Sequence, residues 1–441
     1  MKKHQAYFDN ASTTPLDKRV LKEMMPYLTD DYGNASNLYE TGRCARKAIV
    51  QASEQIAKAL HCRTDEFVFT GSATEADNLA VIGTARAHGS IGGEKNVEKK
   101  RIIISALEHK GIMAVCDALE KEGFEIIKLP VGKDGMVSPE DVKKNLNNKT
   151  IIVSITMADS ETGTMQPIKE IAEVIKEFKI KNNQTSNTNN QQAIPYFHTD
   201  ASQAAAYADI NVEKLGVDLM TLSAHKLRGP KGIGGLYVRR GLKLNPIIYG
   251  GGHQGKLRSG TENVPAIVGF GKAVELNEIY KKKGMASTKK LRDALQKGIF
   301  GSVKKVVLNG HPTKRLPNFL NISILDIEGE SLLLELDEHG IMINTGSACN
   351  SESLEPSYVL TALGNPYEFV HGSIRFTLGP ETTMSDVKYV LKFLPKIVER
   401  LRRISPLDLS EDEKKVMSDP RAFVGNKTPH FLRKAKKGLG S

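Results

Sequence analysis

The chain has 441 residues, 40% hydrophobic and 26% charged, and carries a formal charge of +11. That length exceeds one hydrophobic core and implies two domains, and the balance is that of a globular protein, excluding a disordered or fibrous chain. No stretch approaches the ~20 apolar residues of a membrane span, and Met1-Lys2-Lys3-His4-Gln5 lacks the apolar core of a signal peptide, so a cytoplasmic protein with reduced thiols and no membrane partner is expected.

In chain order, residues 66–70 form a short apolar run ending at Gly71-Ser72, and a helical pattern follows over 74–86. Strand-like segments recur at 101–105, 125–129, 151–156, 196–199, 219–223 and 235–238, with a helix near 112–122. Continuous Ile, Val and Leu runs suit a sheet buried on both faces with helices between the strands, an α/β architecture. After Thr261 the pattern changes to a helix over 264–283, strand-like segments at 305–308, 318–324 and 373–376, and a long helix over 384–402. The expected division is a large domain over 16–262, a smaller α+β domain from 1–15 and 263–406, and a basic tail over 407–441. Residues 89–100 and the Asn/Gln/Thr tract 181–192 offer little to bury and read as surface insertions. In the tail, Arg421, Lys427, Arg433, Lys434, Lys436 and Lys437 have no acid beyond Asp419 to offset them. Such a segment is either solvated or meets nucleic acid or an acidic protein.

The four cysteines are Cys44, Cys62, Cys116 and Cys349. None forms a CxxC pair and their spacing fits no zinc framework, so no metal is expected. Cys44 and Cys116 lie in helical patterns and read as buried structural thiols. Cys349 differs: Thr345-Gly346-Ser347-Ala348-Cys349-Asn350 sets it among small residues in a loop that a helix follows, with nothing bulky to shield the sulfur.

Lys226 follows an apolar strand in Ser223-Ala224-His225-Lys226 and precedes Gly229-Pro230-Lys231-Gly232. A lysine there can form an imine with a carbonyl cofactor, or it is a loop lysine beside a glycine-rich hairpin. Gly71-Ser72-Ala73-Thr74-Glu75 turns from strand into helix. Its free N–H groups suit a phosphate, or Ser72 or Thr74 is an ordinary cap. Asp200, in His198-Thr199-Asp200-Ala201-Ser202-Gln203, emerges at a carboxyl edge of the sheet, where it can meet a protonated pyridine nitrogen or cap the next segment. His109 also follows a strand; it can lie against a cofactor ring and shuttle protons, or be structural. Arg375 lies in an apolar strand and needs a carboxylate, either a substrate's or an internal one. A nucleophilic thiol with an imine-forming lysine suggests sulfur chemistry on an amino acid.

The conjunction and order of these motifs resemble the cysteine desulfurase family (NifS/IscS-like), within the class V aminotransferase group of pyridoxal-phosphate enzymes. The resemblance runs from about Tyr7 to Pro406. It is carried by 71–80 (GSATEADNLA), 108–112 (EHKGI), 198–205 (HTDASQAA), 222–240 (LSAHKLRGPKGIGGLYVRR), 250–264 (GGGHQGKLRSGTENV), 316–323 (LPNFLNIS), 329–337 (GESLLLELD), 345–364 (TGSACNSESLEPSYVLTALG) and 373–379 (SIRFTLG). It implies fold type I of the pyridoxal-phosphate enzymes, a large domain with a mostly parallel sheet plus a smaller α+β domain.

Roles follow from the resemblance residue by residue. Lys226 would hold pyridoxal 5′-phosphate as an imine, Asp200 would pair with its ring nitrogen and Gln203 would bond its phenolic oxygen. His109 would stack on the ring. Ala73, Thr74, Ser223 and His225 would bind the phosphate, and Thr261 would reach the phosphate of a partner subunit, making the active unit a homodimer. Arg375, with Asn34, would bind the substrate L-cysteine, and Cys349 would take its sulfur as a persulfide, leaving L-alanine. The setting of Cys349 matches the branch that delivers sulfur to iron–sulfur scaffold proteins, other sulfur acceptors and tRNA-modifying enzymes. Three positions depart from the family pattern. Ser160, in Asp159-Ser160-Glu161, replaces an asparagine that contacts the phenolic oxygen, and a water would have to bridge the shorter side chain. Gly33-Asn34-Ala35 lacks the usual proline, and Tyr39 stands where histidine is common. The rival readings are a selenocysteine lyase or another β-eliminating relative, and a low-activity homologue that serves as a scaffold-binding platform.

Overall fold

The apolar runs between residues 66 and 238 assemble into one seven-stranded sheet in a computed structural model of the chain, which describes residues 4–89, 100–182, 193–345 and 356–404. The elements of this half are β1 (Ala6–Tyr7), α1 (Lys18–Leu28), α2 (Glu40–Leu60), β2 (Phe67–Thr70), α3 (Ala73–His88), β3 (Arg101–Ser105), α4 (Lys110–Lys121), β4 (Glu125–Leu129), α5 (Pro139–Asn145), β5 (Thr150–Ser154), α6 (Ile168–Lys181), β6 (Tyr196–Asp200), α7 (Val212–Leu215), β7 (Leu219–Ser223) and β8 (Gly234–Val238). The sheet order is β2-β8-β7-β6-β5-β3-β4. Strand β8 runs antiparallel to both neighbours, and the remaining pairs are parallel.

Strands β5, β6 and β7 are buried at every residue, as strands covered by helices on both faces must be. Alternation along each strand divides its side chains between two cores. Ile102, Ile104, Ile152, Leu219 and Leu236 pack with Leu79 of α3 and Ile112 of α4 on one face. Ile103, Val153, Phe197, Met220 and Tyr237 pack on the other with Ile56 of α2, Ile171 of α6 and Phe270. Each fully buried side chain of this size contributes roughly 1.5–3 kcal/mol of transfer free energy.

The second half contains α8 (Val264–Lys283), α9 (Met285–Ser302), β9 (Val306–Leu308), β10 (Phe319–Ile324), α10 (Gly329–Glu338), β11 (Ile341–Met342), α11 (Tyr358–Ala362), α12 (Tyr367–His371), β12 (Ser373–Thr377) and α13 (Met384–Ile404). Strands β9, β10 and β12 form an antiparallel sheet, and β1 pairs in parallel with β11. Its own core joins Leu320, Ile322 and Phe376 to Leu295 of α9 and to Val387, Val390, Leu394 and Leu401 of α13. Phe8 lies in this core, against Phe376.

Helix α8, which the sequence reading assigned to the smaller unit, sends Val264, Ile267, Phe270 and Val274 into the core of the large sheet with Val20 of α1 and Ala48 of α2. Cys116 is buried as expected, whereas Cys44 is only partly so. Burial pushes the Cys116 and Cys62 thiols up to about 12, which makes both poor nucleophiles at neutral pH. Most of both insertions lies outside the described residues, as do Cys349 and the basic tail. Among the described residues no helix is long and apolar enough to cross a membrane, and no group of three His, Cys, Asp or Glu side chains is placed to hold a metal ion.

Candidate active site

Four adjacent parallel strands, β7-β6-β5-β3, end on the same edge of the sheet, where open α/β sheets place their ligands. Each delivers candidate residues there. Beyond β3 come Glu108 and His109, beyond β5 comes Ser160, β6 ends in Asp200, and β7 ends in Ser223 with His225 and Lys226 in the turn that follows.

The turn into α3 serves as a helix cap and as a close-packed cradle. Ser72 Oγ accepts from the Glu75 N–H at 3.1 Å, the ordinary cap, while Ala73 and Thr74 sit in the first turn. Gly234 of β8 passes so close that a Cβ there would lie 2.5 Å from the Ser72 carbonyl carbon and 2.6 Å from Ala73 N. His109 caps α4, its Nδ1 accepting from Gly111 N–H at 3.1 Å. A Cβ on Gly111 would fall 3.2 Å from that Nδ1 and 3.3 Å from Thr74 Cγ2, so Thr74 and His109 flank one small gap. Both side chains are exposed to it.

The N-terminal segment closes the other side. Lys226 Nζ donates to the Ser12 carbonyl at 2.9 Å and to the Ala11 carbonyl, and Gln203 Nε2 donates to the Ala11 carbonyl at 2.9 Å. His225 Nδ1 lies 3.1 Å from Thr13 Oγ1. Burial, then the Lys226 and Lys231 charges, hold the His225 imidazole down to about 4, so it is neutral.

Arg375 reaches this edge from β12. Its Nη2 donates to Asp9 Oδ1 at 2.8 Å and to Ser12 Oγ at 2.9 Å, and its Nη1 to the Ser160 carbonyl at 2.6 Å. Asn344 Nδ2 donates to Asp9 Oδ2 at 3.0 Å and to Ser12 Oγ at 2.8 Å. The internal carboxylate that the sequence left open as an alternative partner for Arg375 is therefore Asp9. Arg375 Nε is buried with no partner among the described residues, which leaves one donor of the fork unused.

Carboxyl groups crowd the floor. Asp200 is 7% exposed and its Oδ1 accepts from Ser202 N–H at 2.8 Å. Glu108 accepts from Ser105 Oγ at 2.5 Å and Thr156 N–H at 2.8 Å, and burial still pushes it up to about 8. Glu161 accepts from Ser357 Oγ, which also caps α11, and burial pushes it up to about 7. Tyr358 OH donates to the Glu108 carbonyl at 2.8 Å, so the root of α11 is fastened beside both His109 and Ser160.

Not every candidate joins the group. Asn34 makes its hydrogen bonds within its own turn, accepting from Ser36 N–H at 2.9 Å and Asn37 N–H at 3.0 Å. Thr261 lies behind the Gly71 turn, lining a cavity of about 130 Å³ with Gly71, Gly232 and Arg258. Cys349 is outside the described residues. The motif reading passed over Asp9, Ser12, Asn344, Glu161 and Asp77. For Asp9 a signal existed: a carboxylate following Tyr7-Phe8 at the end of a buried strand requires a cation.

These residues fit a phosphorylated pyridine aldehyde on chemical grounds. A lysine amine, a buried carboxylate, an exposed imidazole and a helix N-terminus open together on one edge. A methyl group at Gly234 would block the approach of β8 to that N-terminus.

Comparison with known proteins gives a consistent pattern. Residues 6–390 match the aminotransferase class-V family. The chain is 46% identical over 405 residues to the cysteine desulfurase IscS of Methanosarcina thermophila, covering 92% of this chain and 95% of that one. It is 45% identical over 404 residues to the cysteine desulfurase IscS of Dictyoglomus turgidum, covering 92% and 97%. Among solved structures it is similar to a NifS-like protein, with TM-score 0.81 and 32% identity over 90% of this chain and all of that one. A structure of SspA in complex with cysteine aligns with TM-score 0.73 and 33% identity, covering 86% and 100%.

Proposed function

Since the chain belongs to the class-V aminotransferase family, among its cysteine desulfurases, we propose that it uses pyridoxal 5′-phosphate to move sulfur from L-cysteine onto Cys349, leaving L-alanine. The observation that supports this most is the convergence of Lys226, Asp200 and His109 on one sheet edge with Arg375 arriving from the other sheet.

When bound, pyridoxal 5′-phosphate supplies the electron sink for bond changes at the α- and β-carbons of an amino acid. The protein's own residues do the rest. Lys226 holds the cofactor carbonyl and moves a proton at the substrate α-carbon. Asp200 would present its buried carboxylate to the ring nitrogen, and His109 would flank the ring. Ala73, Thr74, Ser223 and neutral His225 would receive the phosphate, Gln203 and Ser160 would serve the phenolic oxygen, and Thr261 would serve a second copy in a homodimer. Arg375 would orient the substrate carboxylate by its charge and its remaining N–H groups, the guanidinium being held in place by Asp9 and the Ser160 carbonyl. The Cys349 thiolate takes the substrate sulfur, the carbon–sulfur bond breaks, and the β-carbon receives a proton to become the methyl of alanine. The persulfide then passes to an acceptor, an iron–sulfur scaffold protein or a tRNA-modifying enzyme, in the cytoplasm.

The test follows sulfur and colour together. Purified protein with L-cysteine should yield alanine and a Cys349 adduct one sulfur heavier than the thiol by mass spectrometry. Borohydride should fix cofactor to the peptide containing Lys226. Labelling of a different lysine, or alanine formation with no mass change at Cys349, would refute the assignment.

A further inference from the structure

Below Asp200 lies a carboxyl group with no assigned task. Asp77, on α3, is 1% exposed, and neither of its oxygens makes a hydrogen bond of normal geometry among the described residues, although the Thr221 hydroxyl acts on it as a donor. An unpaired carboxylate in such a place is costly, so its charge state must be settled by its neighbours. Those neighbours come from three elements. From β6, His198 Nε2 stands 3.8 Å from Asp77 Oδ1, and Asp200 follows two residues on, on the same strand face. From β7 comes Thr221, the register partner of Asp200. From the turn before α4 comes Glu108.

His198 is fully buried and tethered at both ring nitrogens. Nδ1 lies 2.8 Å from Ser154 Oγ and Nε2 lies 3.0 Å from Thr221 Oγ1. The two hydroxyls can each donate or accept, so a neutral imidazole of either tautomer is fully satisfied. An imidazolium here would face two hydroxyls and two carboxyls while shielded from solvent. Burial holds His198 down to about 4. Burial, and then the charge of Asp200, hold Asp77 well above the usual carboxylate range, while nearby Thr221 pulls the other way. With Glu108 also raised, three carboxyls share this floor and their mutual repulsion favours a single ionised one.

We propose that Asp77 is a neutral carboxylic acid lying beside a neutral His198, and that the two are positioning residues that leave Asp200 as the one anion of this floor, facing the cofactor's ring nitrogen. The cofactor part rests on the function proposed above; the charge state of the pair does not. The division of labour suits the chemistry. A second ionised carboxyl beside Asp200 would add a repelling charge to the floor and compete for the positive ring nitrogen that a single carboxylate is placed to meet.

Asp77→Asn separates this from the alternative, an Asp77 carboxylate paired with a His198 imidazolium. An amide mimics a neutral acid. The acid's raised affinity for its proton stabilises the fold below the unfolded value of ~3.9 and is lost as pH rises, so wild type carries a cost at neutral pH that the amide does not. Melting of the apoprotein should therefore show Asp77→Asn at least as stable as wild type at pH 5, with an advantage that widens to pH 8. An ion pair gives the opposite sign, because the amide would strand a buried imidazolium. Lower stability of Asp77→Asn across that range overturns the proposal. Should that variant fold poorly, Asp77→Ser is the second neutral replacement, and failure of both to fold also overturns it. Titration of the apoproteins with pyridoxal 5′-phosphate completes the test. Asp77→Asn should bind within about twofold of wild type with its colour change at the same pH, whereas Asp200→Asn should bind about tenfold or more weakly. A displaced colour change in Asp77→Asn overturns the neutral pair. Unchanged binding in Asp200→Asn overturns the cofactor reading, while the melting comparison still decides the pair.

Discussion

Replacing Gly234 by alanine tests the cradle at the start of α3 directly. The added Cβ would lie 2.5 Å from the Ser72 carbonyl carbon, 2.6 Å from Ala73 N and 2.8 Å from the Ser72 oxygen. All three contacts are backbone, so no rotamer change relieves them. Carbon contacts this short do not survive, and the two segments must separate by about half an ångström. Gly234 cannot retreat freely, because β8 pairs with Thr70 of β2 on one side and Ser223 of β7 on the other. The Ser72–Ala73 turn moves instead. Overpacking of this kind costs about 1–3 kcal/mol. If it falls on the phosphate-binding geometry alone, cofactor affinity drops roughly 5- to 150-fold. The assay is paired: melting of apoprotein and holoprotein, with pyridoxal 5′-phosphate titrated into the apoprotein. Weaker cofactor binding with a smaller thermal shift on loading is expected. A variant that melts lower yet binds cofactor as tightly as wild type would show that the turn supports the fold but does not hold the phosphate.

Other substitutions address the remaining parts of the site. Lys226→Ala should lose the visible absorbance of bound cofactor and nearly all alanine formation; retention of both in the purified variant would remove Lys226 from its role. Cys349→Ala should keep that absorbance yet stop sulfur transfer, and wild-type turnover in it would acquit the thiol. Glu161→Gln should be as stable as wild type near pH 4.5 and more stable above pH 7. A carboxyl raised to about 7 stabilises the fold when protonated and loses that contribution as pH rises through 7. The gap is on the order of 3 kcal/mol at most, and a melting curve of constant offset across that range would contradict it. Deleting residues beyond Pro420 should leave alanine formation intact and, if the tail meets an acidic partner or tRNA, reduce salt-sensitive transfer to it.

The large sheet was legible because its strands are buried on both faces, and burial writes itself into sequence as uninterrupted Ile, Val and Leu. Lys226, Asp200 and His109 were legible for a related reason: each is a polar residue at the carboxyl end of such a run. Helix α8 was misplaced because its apolar residues say that it is buried but not in which core. The site's remaining partners were hidden by distance along the chain. Asp9 and Arg375 each looked like a charge in need of a mate, but nothing in local patterning could join positions 366 apart. Asp77 was hidden differently. It sits inside a motif, where capping of α3 explained its neighbours Ser72 and Glu75 well enough that its own burial went unasked.

The N-terminal strap has a consequence for biosynthesis. Ala6 pairs with Ile341, Asp9 binds Arg375, and the Asn10 N–H donates to the Thr377 carbonyl at 3.2 Å. Residues 6–10 thus wait for residues 341–377, which are synthesised later, a closure costing about 5 kcal/mol in chain entropy for a loop of this length. Ala11 and Ser12, which receive Lys226, hang from that same strap. A chain released before β12 lacks Arg375 and the strap's partners on β11 and β12, and with them the anchoring of the carbonyls that Lys226 meets. Competence to hold an amino acid in register therefore arrives only when synthesis has passed β12, so a truncated product is not a slow enzyme but an unassembled one.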